Sequence, residues 1–172
     1  IRVVQIDKGR TEKKALTRAK GKLFKPLKTT HQRYADVFEK LGFPLALDPE
    51  NILNKRNLSE KINELIGKGS QKWIGIAPFA AFDGKAYPLE LMEKVIAMLE
   101  KNDILKVVLF GGGKKEEALL NNLSSNYSNT VSVVGKLTFE EELALISNLD
   151  IMISMDSGNA HLAAMFGVKT IT

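Results

Sequence analysis

Cysteine is absent from the 172 residues. Without thiols there are no disulfides and no thiolate metal ligands, which suits a reducing, cytoplasmic address. Histidine occurs only at positions 31 and 161, far apart and without a carboxylate cluster beside either. Such a set makes no metal constellation, so neither a metal nor a cofactor is expected. No apolar run approaches the roughly 20 residues that span a bilayer. The opening "IRVVQIDKGR" has no signal-peptide core behind it. A serine nucleophile on a G-x-S-x-G elbow is also missing, which removes the commonest hydrolase pattern. The chain begins on Ile and ends on the strand-like "VKTIT", so a piece of a longer protein is expected, with its last βα unit incomplete.

What is present is the composition of an ordinary globular domain, 44% hydrophobic and 26% charged. The net charge of +5 is unevenly placed. Residues 1–30 hold ten Lys or Arg against Asp7 and Glu12, a net +8, and the rest of the chain is mildly acidic. A basic front end of this kind can meet phosphates on a nucleic acid, an anionic membrane or a phosphorylated substrate, or it can simply be solvated. Phe24 is its only aromatic residue. A base-stacking platform is therefore poorly supported, and no nucleic-acid partner is expected.

Periodicity supplies the elements. "IRVVQID" reads as a short strand. "HQRYADVFEKLGF" reads as a helix with Tyr34, Val37, Phe38 and Leu41 on one face and Gly42 as its left-handed cap. A joining region follows, punctuated by Pro44, Pro49, Gly67 and Gly69, with one short amphipathic helix over residues 59–66. From Lys72 onward strands alternate with helices: "KWIGIAPF", "LKVVLF", "TVSVVG", "DIMISM" and "VKTIT" are consecutive apolar runs. Such runs bury both faces, so the expected fold class is α/β, a Rossmann-like doubly wound parallel sheet. Thr138 and Glu141 have the spacing of a capping box.

Ligands of open α/β sheets bind outside the carboxyl ends of the strands, and four such ends stand out. In "MISMDSGNAHLAAMFG" a strand stops at Asp156, and Ser157-Gly158 opens a helix whose first free amides and dipole suit an anion. His161 falls in the first helical turn. Asp156 would repel phosphate and is better matched to sugar hydroxyls. The competing reading is a plain Asp/Ser helix cap with a surface histidine. In "PFAAFDGKAYP", Lys85 can place a point charge on a diphosphate, or be a solvated loop lysine. "LFGGGKKEE" lacks the third glycine of the dinucleotide fingerprint, because Glu116 occupies that position. This disfavours a dehydrogenase but leaves Glu116 able to accept from ribose, or a plain turn. Leu137 in "GKLT" offers an apolar wall.

These residues resemble glycosyltransferase family 9, the heptosyltransferases of lipopolysaccharide core assembly. "SMDSGNAHLAAMFGVKTIT" is similar to the family signature D-[ST]-G-x-x-H-x-A-A-x-x-G-x-[PK]. "IGIAPFAAFDGKAYP", "VVLFGGGKKEE" and "VVGKLTFEEELALISNLDIMISMD" resemble its upstream strand–loop elements in order and spacing. "DKGRTEKKALTR" and "LKTTHQRYADVFEKLGFPL" are more loosely similar to the end of its first domain.

The resemblance implies a GT-B enzyme, of which residues 1–47 would be the remnant of an acceptor-binding domain, 48–70 a linker and 71–172 the nucleotide-sugar-binding domain. It implies inverting, metal-independent transfer of heptose from ADP-heptose to a lipid-linked phosphorylated saccharide acceptor. The address would be cytoplasmic or peripheral to the anionic inner-membrane surface. Carried onto this sequence, Lys85 would contact the diphosphate, Glu116 the ribose and Leu137 the base. Ser157 and Gly158 would hold phosphate, Asp156 the sugar and His161 the phosphate end. No catalytic base is assigned within these residues, so the chain by itself is expected to bind donor without turnover. Two departures stand out: Ala80 and Ala81 replace loop hydroxyls, and Tyr87 replaces a tryptophan. The rival readings are a nucleotide-sugar epimerase of similar fold and a non-catalytic nucleotide- or anion-binding module.

Overall fold

In the computed structural model, residues 1–172 are described except Pro49 and Lys68, and Asp83 is described in its backbone alone. The proline punctuation expected at Pro49 therefore lies outside the described residues. Two compact units divide the chain, residues 1–51 and residues 52–172.

The first unit carries two helices, α1 (Arg10–Thr17) and α2 (Thr30–Leu41). Thr29 caps α2 by accepting from the Gln32 amide at 3.2 Å. Gly42 closes it at φ 96°, a left-handed conformation that costs glycine nothing. Residues 1–9 form no strand, contrary to their apolar pattern. A strand needs a neighbour to complete its ladder, and none runs beside it among the described residues of this unit. The apolar stripe of α2 is not its buried face either. Tyr34 and Phe38 are exposed, and Arg33 and Ala35 are buried instead. Arg33 decides this by donating to the carbonyls of Asp7 and Lys28, both at 3.1 Å, and to the Glu12 carboxylate at 2.5 Å. One guanidinium thus gathers the start of α1 and the start of α2.

The second unit begins as a strap. Leu53 N–H donates to Met165 O at 2.9 Å, and Arg56 N–H to Ser147 Oγ at 3.0 Å. The Arg56 guanidinium lies 5.8 Å from the Phe166 ring centre. Helix α3 (Glu60–Ile66), capped by Ser59, buries Ile62 and Ile66. Five strands follow: β1 (Lys72–Ala77), β2 (Leu105–Leu109), β3 (Thr130–Ser132), β4 (Ile151–Ser154) and β5 (Lys169–Ile171). Between them run α4 (Leu89–Leu99), α5 (Gly113–Ser124), α6 (Phe139–Ser147) and α7 (Gly158–Met165). The capping box of α6 forms: Thr138 Oγ1 accepts from Glu141 N–H at 3.3 Å, and Glu141 Oε2 from Thr138 N–H at 2.8 Å.

The strand order is β3-β2-β1-β4-β5, all parallel. Ile74 aligns with Val107 on one side and Ile151 on the other. Both sheet faces are covered, as the unbroken apolar runs require. Ile74, Ile76, Val107 and Leu109 pack against Met92, Ile96, Leu120 and Leu123 of α4 and α5. Val108, Phe110, Val133 and Met152 pack against Ile62, Leu145, Ile146 and Ala163 of α3, α6 and α7. Order reverses between β1 and β4, so the loops leaving these two strands diverge and open a crevice at the carboxyl edge. Among the described residues, no helix is long and apolar enough to cross a membrane.

Candidate functional site

The crevice at that reversal is a cavity of about 490 Å³, within the range of small-molecule sites. Three strand ends line it. Ala77, Phe79, Ala80 and Ala81 come from the end of β1, and Phe110, Gly111, Gly112 and Glu116 from the β2–α5 turn. Asp156, Ser157, Gly158, Asn159 and His161 come from the β4–α7 junction.

The β4–α7 junction is built so that its helix end stays open. Met155 N–H donates to Ala77 O at 3.2 Å, which ties the end of β4 to β1 before the chain turns away. Ser157 occupies the N-cap position with extended backbone, φ −140° and ψ 169°, yet its hydroxyl makes no capping bond. It pairs instead with the buried Ser154 hydroxyl, Oγ to Oγ 2.8 Å. Among the described residues no protein acceptor meets the amides of Gly158, Asn159 and Ala160. A Cβ on Gly158 would find open space, so a ligand can lie against this backbone. The positive end of α7 therefore faces the cavity, with His161 on the same wall.

The β2–α5 turn supplies the opposite wall. Glu116 Oε2 accepts from Gly112 N–H at 2.7 Å, so the carboxylate braces the glycine turn while lining the cavity. Gly113 adopts φ 76°, the left-handed conformation on which this turn depends. A Cβ on Gly111 would meet Glu116 Oε2 and Leu120 at 3.0 Å, which explains the glycine beside them.

Lys85 ends a 3-10 turn, Asp83–Lys85, held by its own amide donating to Phe82 O at 2.9 Å. Its ammonium reaches across to Asp156 and forms an ion pair with Oδ2. That bond to Lys85 holds the Asp156 carboxyl below the usual carboxylate range, and His161 adds to the effect. Lys85 is not among the residues lining the cavity. It lines a neighbouring depression of about 450 Å³ with Tyr87, Met92 and Met155. Leu137 stands apart from both, half-buried and packed against the α3/α6/α7 side of the core. Of the seven residues singled out in the sequence, five line the cavity and Lys85 joins them through Asp156. Phe79, Phe110 and Asn159 had not been singled out. Asn159 carried a usable signal, since it sits between Gly158 and His161 on the first turn of α7. The two phenylalanines read only as strand-end apolar residues.

A model of glycosyltransferase family 9 (heptosyltransferase) matches residues 8–172. The chain belongs to this family. Lipooligosaccharide heptosyltransferase 2 of Campylobacter jejuni is 31% identical over 115 residues, which cover 63% of this chain and 35% of that protein. The family 9 glycosyltransferase of Veillonella parvula shares the fold with a TM-score of 0.65 at 20% identity, over 84% of this chain and 43% of that one. The E. coli heptosyltransferase WaaC, solved with ADP, superposes with a TM-score of 0.64 at 18% identity, over 86% of this chain and 45% of that one. At such identities the solved structures attest the fold alone. The family 9 chain spans about 35% of the length of its Campylobacter relative. Its Rossmann-like parallel sheet is shared with these family 9 structures, and the cavity lies at the carboxyl edge of that sheet.

Proposed function

We propose that this chain is the donor-binding half of an inverting glycosyltransferase that transfers heptose from ADP-heptose to a lipopolysaccharide core acceptor. The observation that carries this reading is the uncapped N-terminus of α7 opening into a cavity at the strand-order reversal. An open helix end of this kind favours the negative charge of a diphosphate. A related protein points the same way for the nucleotide: the E. coli heptosyltransferase WaaC was solved with ADP and with ADP-2-deoxy-2-fluoro heptose.

In this reading the amides of Gly158, Asn159 and Ala160 hold the diphosphate with His161 beside them, and Lys85 leaves Asp156 to join them. Asp156 then accepts from sugar hydroxyls, and Glu116 accepts from the ribose. An acceptor oxygen attacks the anomeric carbon as the bond from that carbon to the diphosphate oxygen breaks. The electron pair goes to the leaving diphosphate, where the α7 amides, Lys85 and His161 stabilise it without a metal ion. The acceptor's proton passes to a general base, which we assign to the part of the family fold outside these residues. The chain by itself then binds donor and does not turn it over.

A calorimetric panel of ADP-, UDP-, GDP- and CDP-sugars tests the reading. ADP-heptose is expected to bind tightest. Lys85→Ala should weaken every diphosphate by about tenfold, the cost of one charge-assisted hydrogen bond. Affinity untouched by both Lys85→Ala and Asp156→Ala would show the site to be misplaced.

A further inference from the structure

Among the described residues four helices begin on a serine or threonine, and three of them are capped in the same way. Thr29, Ser59 and Thr138 accept from the amide three residues ahead at 3.2 Å, 3.3 Å and 3.3 Å. Their φ values are −64°, −73° and −73°. Ser157, at the head of α7, departs from all three. Its φ is −140°, and its side chain makes no bond to the Ala160 amide three residues ahead. A serine in this place ordinarily takes that amide, so another group must hold the hydroxyl away.

The holder is Ser154, the last residue of β4, which is fully buried. Its hydroxyl donates to Met155 O at 3.0 Å and lies 2.8 Å from Ser157 Oγ. A hydroxyl has one proton to give. With that proton on Met155 O, Ser154 can only accept, so Ser157 is the donor of the pair. The hydroxyl that would cap α7 is thereby spent on the strand before it. A side-chain cap and a hydroxyl pair are of similar strength, so the pair is enough to decide which of the two forms. Ser154 itself is not among the residues lining the cavity.

We propose that Ser154 is a positioning residue of the donor site. By holding the Ser157 hydroxyl it stops α7 from capping itself, and the Ala160 amide stays free for an anionic oxygen of the donor diphosphate. This rests on the donor-site reading above and adds to it a residue behind the cavity wall.

The test combines calorimetry of ADP and inorganic pyrophosphate with amide exchange followed by NMR, on the chain and on two variants. Ser154→Ala frees Ser157 to take the Ala160 amide. Exchange of that amide without ligand should slow by about fivefold, the worth of one cap. Both ligands should then bind about tenfold more weakly, the loss of one amide bond to a charged oxygen. Ser154→Ala combined with Ser157→Ala leaves no hydroxyl to form the cap. Exchange at Ala160 should return to its original rate, and most of the lost affinity should come back. A Ser154 that served packing alone would weaken binding in both variants alike. The proposal is therefore overturned if the double variant binds no better than Ser154→Ala, or if Ser154→Ala leaves Ala160 exchange unchanged. Either result leaves the donor site standing as long as the unaltered chain binds ADP. Failure of the unaltered chain to bind ADP or pyrophosphate would instead remove the donor-site reading, and the role of Ser154 with it.

Discussion

Lys85 and Asp156, separated by 71 residues, are bonded to each other across the carboxyl edge of the sheet. The bond joins the loop after β1 to the end of β4, the two strands between which strand order reverses. Each charge is answered by the other, so under the proposed donor reading an incoming diphosphate must compete with Asp156 for the lysine.

Removing the competitor while keeping the shape should therefore help the anion. Asp156→Asn is expected to tighten ADP binding by severalfold, because Lys85 is released at no cost in volume. The same variant should lose part of the extra affinity that ADP-heptose has over ADP. A titration of both ligands reads both effects, and weaker ADP binding by the variant would remove the competition argument.

The missing hydroxyls at Ala80 and Ala81 lead to a gain-of-affinity experiment. Both residues line the cavity, so a hydroxyl there can donate to a bound phosphate. Ala80→Ser or Ala81→Ser is expected to tighten ADP by about two- to tenfold, the range of a single net hydrogen bond. Unchanged affinity in both would place the phosphates away from the β1 loop.

Glu116 carries two duties, bracing Gly112 and facing the cavity. Glu116→Gln keeps an acceptor for the Gly112 amide but gives up the charge that favours ribose hydroxyls. The expected result is a reduced preference for ADP over its 2′-deoxy counterpart, by about threefold to tenfold, with little change in melting temperature. An unaltered preference would detach Glu116 from the ribose.

Glu100 gives the second unit a pH-dependent fastening. Burial pushes its carboxyl up, but hydrogen bonds from the Asn129 amide, the Ser128 hydroxyl and the Thr130 hydroxyl outweigh burial and leave it lowered. A lowered folded pKa adds stability that is complete above the ordinary glutamate value of about 4.3 and is lost as pH falls through the folded value. Glu100→Ala should cost about 1–2 kcal/mol near neutrality after allowance for partial exposure. Urea unfolding should show that cost vanishing in acid. A cost that persisted well below pH 4 would mean that packing, not charge, is at stake.

The sequence by itself determined the elements of the second unit and the composition of its strand ends. Consecutive apolar runs, the Thr138/Glu141 spacing and the Asp156-Ser157-Gly158 break are local signals, because helix caps and two-sided burial are set by neighbours in the chain. Tertiary structure decided what those residues touch. Lys85 is held by Asp156 instead of lining the cavity, and Ser157 bonds Ser154 instead of capping its own helix. Leu137 turns to the core, and Arg33 overrides the apolar stripe of α2. Residues 1–9 carry a strand pattern without a strand. The Ser157–Ser154 pair is local in sequence, but hydroxyl pairing leaves no trace in an apolar pattern. The other outcomes depend on a partner farther along the chain, or on its absence, and hydrophobic periodicity holds no record of such partners.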